Sequence, residues 1–171
     1  MPESRSKEPL VWIDCEMTGL DPTKETVMSL ACFITDYELE LVDEKGYEAV
    51  VQHSQKQMDA MGDWCKDHHG ASGLTQACLT SSVTAEQAAD GLLAYIQKSF
   101  LVREPWKKVV SHLHHRILDV SAIKEAARRW APDDVLKRSP QKAGKHEAKA
   151  DILESIEEAR YYKKMFFMME T

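Results

Sequence analysis

The run Leu10-Val11-Trp12-Ile13-Asp14-Cys15-Glu16 is the feature that most limits what this chain can become, because four apolar residues lead straight into two carboxylates one residue apart. Consecutive apolar residues suit a strand covered on both faces, so Leu10–Asp14 is expected to lie within a sheet. Residues i and i+2 of a strand point to the same side, so Asp14 and Glu16 project together while Cys15 turns away. Two carboxylates side by side repel each other unless a cation neutralises them, which is why such pairs mark Mg²⁺ or Mn²⁺ sites. The same triplet also fits an acidic turn in solvent, and spacing alone leaves both readings open.

Further along, Val27–Tyr37 and Gly46–His53 are apolar or alternating segments that suit two more strands, joined by a charged turn near Asp43–Gly46. Met58, Met61, Cys65 and His68 fall at helical spacing in Gln57–His69, after which Gly70 and Gly73 interrupt the pattern. Thr84 followed by Gln87 is a capping-box start, and Ala85, Ala88, Ala89, Leu92, Leu93 and Ile96 give a helix Thr84–Ile96 its apolar face. Arg116–Val120 reads as a strand and Ser121–Trp130 as a helix stopped by Pro132. A long last helix, His146–Phe167, carries Ile152, Ile156, Ala159 and Phe166 as its core stripe. Strands first, then strands alternating with helices, indicate an α/β or α+β chain with a mixed sheet.

Composition limits the function classes. With 171 residues, 43% of them hydrophobic, the chain is expected to form one domain over residues 1–171, with 1–8 as a flexible start. The longest nearly apolar stretch, Val27 to Ile34, is broken by Ser29 and falls far short of the ~20 residues that span a bilayer, so no membrane segment is expected. Cys15, Cys32, Cys65 and Cys78 form no CxxC pair, which argues against structural zinc and for a reducing intracellular setting, cytoplasmic or mitochondrial. A net charge of −6 counts against tracking long nucleic acid, where basic stripes supply most of the affinity. It leaves room for a small substrate held through bound metal ions. His146 and Asp151, five residues apart, lie about 140° round a helix, so both edge a groove if His146 sits in the fraying first turn. An imidazole with an ordinary pKa of about 6.5 accepts a proton near neutral pH, which suits a general base.

Taken together, four blocks resemble the oligoribonuclease family, the branch of the DEDD exonucleases whose final motif carries a histidine. Val11-Trp12-Ile13-Asp14-Cys15-Glu16-Met17-Thr18-Gly19-Leu20 resembles the first exonuclease motif. Asp63-Trp64-Cys65-Lys66-Asp67-His68-His69-Gly70, followed by Ser72-Gly73-Leu74, is similar to the next block. Arg116-Ile117-Leu118-Asp119-Val120-Ser121 and His146-Glu147-Ala148-Lys149-Ala150-Asp151-Ile152 follow in order. The resemblance implies a ribonuclease H-like α/β fold, a mixed sheet flanked by helices. It also implies 3′→5′ hydrolysis of very short RNA, down to dinucleotides, with two divalent ions, Mg²⁺ or Mn²⁺. Asp14, Glu16 and Asp151 would hold metal, with His146 as the general base. Leu20 would wedge against a base, Trp64 would stack on one, and His69 would line the 3′ end. His115, Arg116 and Ser121 match a block that caps the substrate's 5′ phosphate from a partner protomer, which implies a homodimer. His115 departs from the family's usual Tyr at its position. Leu20 and Trp64 equally suit plain core packing, and Ser121 an ordinary helix N-cap.

A larger departure lies before Pro105. The family has a strand there and a third catalytic Asp a few residues ahead of a Phe-Leu pair. Here Phe100-Leu101 is present, Gln97 stands where the carboxylate belongs, and no strand fits between Leu92 and Phe100. The expectation is that the chain is interrupted between Ile96 and Ser99, the strand and its Asp belonging in the gap. If it is continuous, the alternative is a catalytically silent homologue that binds dinucleotides without turning them over.

Overall fold

The computed structural model describes residues 9–21, 23–99, 118–141 and 147–168, with side chains in the second stretch described as far as residue 96. β1 (Leu10–Met17), β2 (Val27–Thr35) and β3 (Tyr47–Val50) form a sheet in the order β1-β2-β3. Both pairings are antiparallel. A parallel strand that would make the sheet mixed is not among the described residues. Together with seven helices among the described residues, this is the α/β architecture expected. β1 runs three residues beyond the expected Asp14, so the acidic pair lies inside the strand and not at its end. The reason is pairing, since Asp14 faces Ala31 and Glu16 faces Ser29 before the register shifts between Glu16 and Met17.

Alternation along β1 and β2 assigns each face its own helix. Trp12, Asp14 and Glu16 share a face with Ala31 and Phe33, while Val11 and Cys15 share the other with Leu30 and Cys32. β2 is buried over nearly its whole length, as its apolar run predicts. It ends at Thr35, two residues before the expected Tyr37, because Asp36 turns the chain: its carboxylate accepts from the amides of Glu38 and Glu40, and Leu39 takes a φ of 70°. β3 is likewise shorter than Gly46–His53. Gly46 has a φ of +65°, and a Cβ there would lie 2.7 Å from the Phe33 ring, so only glycine lets the chain enter β3 this close to β2.

The single helix expected over Gln57–His69 is two, α1 (Gln55–Asp59) and α2 (Asp63–Ala71). Ser54 and Gln57 form a capping box for α1, whose end at Ala60 and restart after Gly62 send Met58 and Met61 into a small core with Met28 and Cys78. Gly70 stays helical, and Gly73, at φ +81°, separates α2 from α3 (Leu74–Thr80), a helix the sequence pattern did not single out. α4 (Ala85–Ser99) starts with the expected Thr84–Gln87 box, the Thr84 amide donating to Gln87 Oε1 at 2.9 Å. It packs Ala88, Leu92 and Ile96 on the Leu30/Cys32 face. α4 runs through Ile96 to Ser99, and its apolar stripe ends at Ile96.

Val120 opens α5 (Val120–Trp130) and does not close a strand, and the N-cap is Asp119, whose carboxylate accepts from the Ser121 amide at 2.8 Å. Asp119, at the residue before the first turn, takes this role instead of Ser121. Arg116 and the rest of that expected strand up to Ile117 lie outside the described residues. After α6 (Asp133–Lys137), α7 (Ala148–Tyr162) crosses β1 and β2 and finishes in a π-turn at Lys163–Phe167. Ala148, Ile152 and Ile156 pack on Ala31 and Phe33, and Ala159 and Tyr162 join Val120 and Ala127 of α5. Glu158, buried at the α5–α7 contact, pairs with Lys124 at 2.8 Å. Among the described residues no helix is long and apolar enough to cross a membrane.

Ile156 sits 2% exposed at the centre of the α7–sheet contact. Ile156→Ala should cost about 2–5 kcal/mol and Ile156→Val about 0.5–1.5 kcal/mol in chemical denaturation, the first adding a cavity to the lost burial.

Candidate active site

Antiparallel pairing and the crossing of α7 bring the two ends of the described fold together. Asp14 and Glu16 come from β1, Asp151 from the first turn of α7, and one oxygen of each lies within 4.8 Å of the others. All three are partly buried. Three carboxylates at such separations repel strongly unless positive charge lies among them. The donor set is all oxygen, the chemistry that Mg²⁺ and Mn²⁺ prefer. His146 lies outside the described residues, as do His115 and Arg116. Glu147 holds the N-cap position of α7 without a side-chain cap. Cys15, between the two acids, faces the α4 side, and burial above all, then the charges of Asp14 and Glu16, pushes its thiol up to about 11.

A groove of about 410 Å³ opens from Glu16 across the β2–β3 face, between the start of α3 (Ser72, Leu74) and the start of α7 (Lys149). That volume lies in the range of small-ligand clefts. At one side of the site, residues 18–21 and 23–26 belong to a loop that carries Leu20, 94% exposed. Thr18 donates to Glu25 Oε2 at 2.6 Å and accepts from the Thr26 amide at 2.9 Å, closing the loop across its base. A Cβ on Gly19 would meet the Glu25 carboxyl at 2.9 Å, so glycine is what lets that clamp close. Asp21 accepts from the Thr23 amide and hydroxyl and pairs with Lys24 at 2.7 Å, stiffening the tip. Sequence reasoning missed Glu25; the only trace was a Thr-Gly pair straight after a strand.

α2 faces this loop. His69 is 2% exposed, and its Nε2 donates to the Met17 carbonyl at 3.0 Å, which makes Nδ1 an acceptor. That Nδ1 is buried with no hydrogen-bond partner in the structure. Trp64 is 57% exposed, stacked on His68 with ring centroids 3.9 Å apart and meeting His69 edge-on at 6.5 Å. Neither Leu20 nor Trp64 is the core residue that simple hydrophobicity allows. Ser121 is exposed in the first turn of α5.

An exonuclease family model of RNase T type matches residues 11–102 and places the chain in the exonuclease class, and among the described residues the carboxylate triad joins the first strand to the last helix. The chain is 44% identical to a probable oligoribonuclease of Schizosaccharomyces pombe over 179 aligned positions, covering 94% of this chain and 69% of that protein. It is 39% identical to a mitochondrial oligoribonuclease of Mus musculus, covering 95% of this chain and 75% of the mouse protein. Against an oligoribonuclease of Corynebacterium glutamicum the identity is 37%, covering 94% and 81%. The chain belongs to the oligoribonuclease family.

These alignments are longer than the chain. Since 94% of 171 residues is about 161, about 18 of the 179 positions against the S. pombe protein have no residue here. Since 95% is about 162, about 18 of the 180 positions against the mouse protein are empty too.

Because its thiol titrates only near pH 11, Cys15 stays protonated at neutral and mildly alkaline pH. Native protein treated with iodoacetamide at pH 8 should carry label on the half-buried Cys65 well before Cys15, read by peptide mass spectrometry.

Proposed function

We propose that this chain removes nucleotides from the 3′ end of very short RNA, down to dinucleotides, at the Asp14–Glu16–Asp151 site. The observation that carries the reading is the convergence of these carboxylates within 4.8 Å from opposite ends of the described fold. Mg²⁺ or Mn²⁺ ions bound there would polarise the scissile phosphate and lower the pKa of an attacking water. Asp14, Glu16 and Asp151 would hold two such ions, and His146 would take the water's proton. The buried acceptor Nδ1 of His69 suits a ribose hydroxyl, which would donate to it and end its isolation. Exposed Trp64 and Leu20 suit a base held by stacking on one side and a wedge on the other, and stacking tolerates every sequence at about 1–3 kcal/mol per base. Arg116, with His115 and Ser121, would cap the 5′ phosphate of a substrate bound to the partner protomer in a homodimer. The mouse and Saccharomyces cerevisiae relatives are named as mitochondrial, so cytoplasm and mitochondrion are the compartments proposed here.

One observation favours a second reading, capture of dinucleotides without turnover. The chain falls about 18 positions short of its relatives, and Gln97 stands where the family pattern places a third catalytic Asp. A neutral amide cannot supply the missing charge.

Purified protein with Mn²⁺ and a 5′-phosphorylated RNA dinucleotide separates the readings. Hydrolysis should release mononucleotides, His146→Ala should slow it about 100- to 10,000-fold with binding largely retained, and Asp14→Ala should be slower still. Tight binding with no mononucleotide formed would select the silent reading, and neither binding nor cleavage would sink both. Light scattering at micromolar concentration should give a dimer, and a monomer would remove the shared phosphate cap.

A further inference from the structure

α7 is held at its first turn from two flanks. Lys149 and Asp151 lie about 200° apart round the helix, on either side of the Ala148/Ile152 stripe that packs on Ala31 and Phe33. Asp151 reaches the β1 side, where it meets Asp14 and Glu16. Lys149 reaches the opposite way, over β2 to the far strand: its Nζ is 2.7 Å from Glu48 Oε1 on β3 and 5.7 Å from the centroid of the Phe33 ring. That ring is itself fixed, fully buried and in close contact with Gly46. No side-chain cap at Glu147 holds the first turn of α7 in place.

We infer that Lys149 and Glu48 form a positioning pair, a tether across the sheet that keeps the first turn of α7 in register so that Asp151 presents its carboxylate to Asp14 and Glu16 before any cation arrives. The inference rests on the metal-site reading above. An ion pair half open to water is worth little to global stability, so its effect should appear at the site it aligns. The tether also forms the β3-side rim of the groove, since Glu48 and Lys149 both line it.

Electrostatics gives the test its sign. If Lys149 acted only through its charge, removing it would make the neighbourhood more negative and tighten Mn²⁺ binding, whereas removing the charge of Glu48 would weaken it. A tether predicts weakening from both. Mn²⁺ titration by calorimetry and electron paramagnetic resonance on the full chain, with Asp14→Asn as the reference for loss of the site, reads this directly. Lys149→Met, which keeps the aliphatic stem over Phe33, and Glu48→Gln should each weaken Mn²⁺ binding about two- to fivefold at low salt. The double variant should be no worse than either alone, and the exchanged pair Glu48→Lys with Lys149→Glu should recover most of the loss. In 1 M NaCl, where screening shortens to about 3 Å, the differences should shrink. Tighter binding by Lys149→Met, unchanged affinity in both variants, or failure of the exchanged pair to recover would overturn the tether while leaving the metal site standing. A wild-type chain whose Mn²⁺ binding matches that of Asp14→Asn would overturn both.

Discussion

Everything at the site depends on how α7 lies across the sheet. Ala148, Ile152 and Ile156 sit on Ala31, Phe33 and the flank of Trp12, and the Trp12 indole donates to the Thr35 hydroxyl at 3.0 Å, fixing the strand pair beneath the helix. Small Ala148 and Ala31 at the contact let helix and sheet approach closely at the end where Asp151 stands. Dispersion and burial along that stripe are collectively large and non-directional. They hold the first turn of α7 over β1, where Asp151 meets Asp14 and Glu16.

Much of this was legible in the sequence, for identifiable reasons. The period-two pattern of β1 put Asp14 and Glu16 on one face, and the stripe Ile152, Ile156, Ala159 defined the buried side of the last helix with Asp151 at its edge. Family resemblance added what periodicity lacks, the pairing of residues far apart in the chain. Boundaries were less legible, because they depend on caps and turns: Asp36 ends β2, Asp119 starts α5, and the Ser54–Gln57 box splits one expected helix into two. α3 escaped notice because its residues lack a long apolar period, and only Cys78 is buried. The tether of Lys149 to Glu48 joins elements whose neighbourhood no local pattern reveals.

The family resemblance points to the junction after α4 as the place where this chain departs from its relatives. The apolar face of α4 ends at Ile96, and the helix continues to Ser99 through polar residues. A loss there would be felt in the sheet. β1 pairs only with β2 among the described residues, and it has no fully buried residue although most of its side chains are apolar. Ile13 and Met17, 38% and 41% exposed, mark the places where a neighbour's cover is thin.

The origin of the three carboxylates has a thermodynamic meaning for the molecule as a whole. Two come from the first strand and one from the last helix, so the cluster exists only when the outermost elements of the described fold have met. Any divalent ion that binds it binds the folded state and not the unfolded chain, and the fold gains stability with the logarithm of free ion concentration. The site is thereby also a fastener: the free concentration of whichever divalent ion binds there would set how often the ends of the described fold come undone.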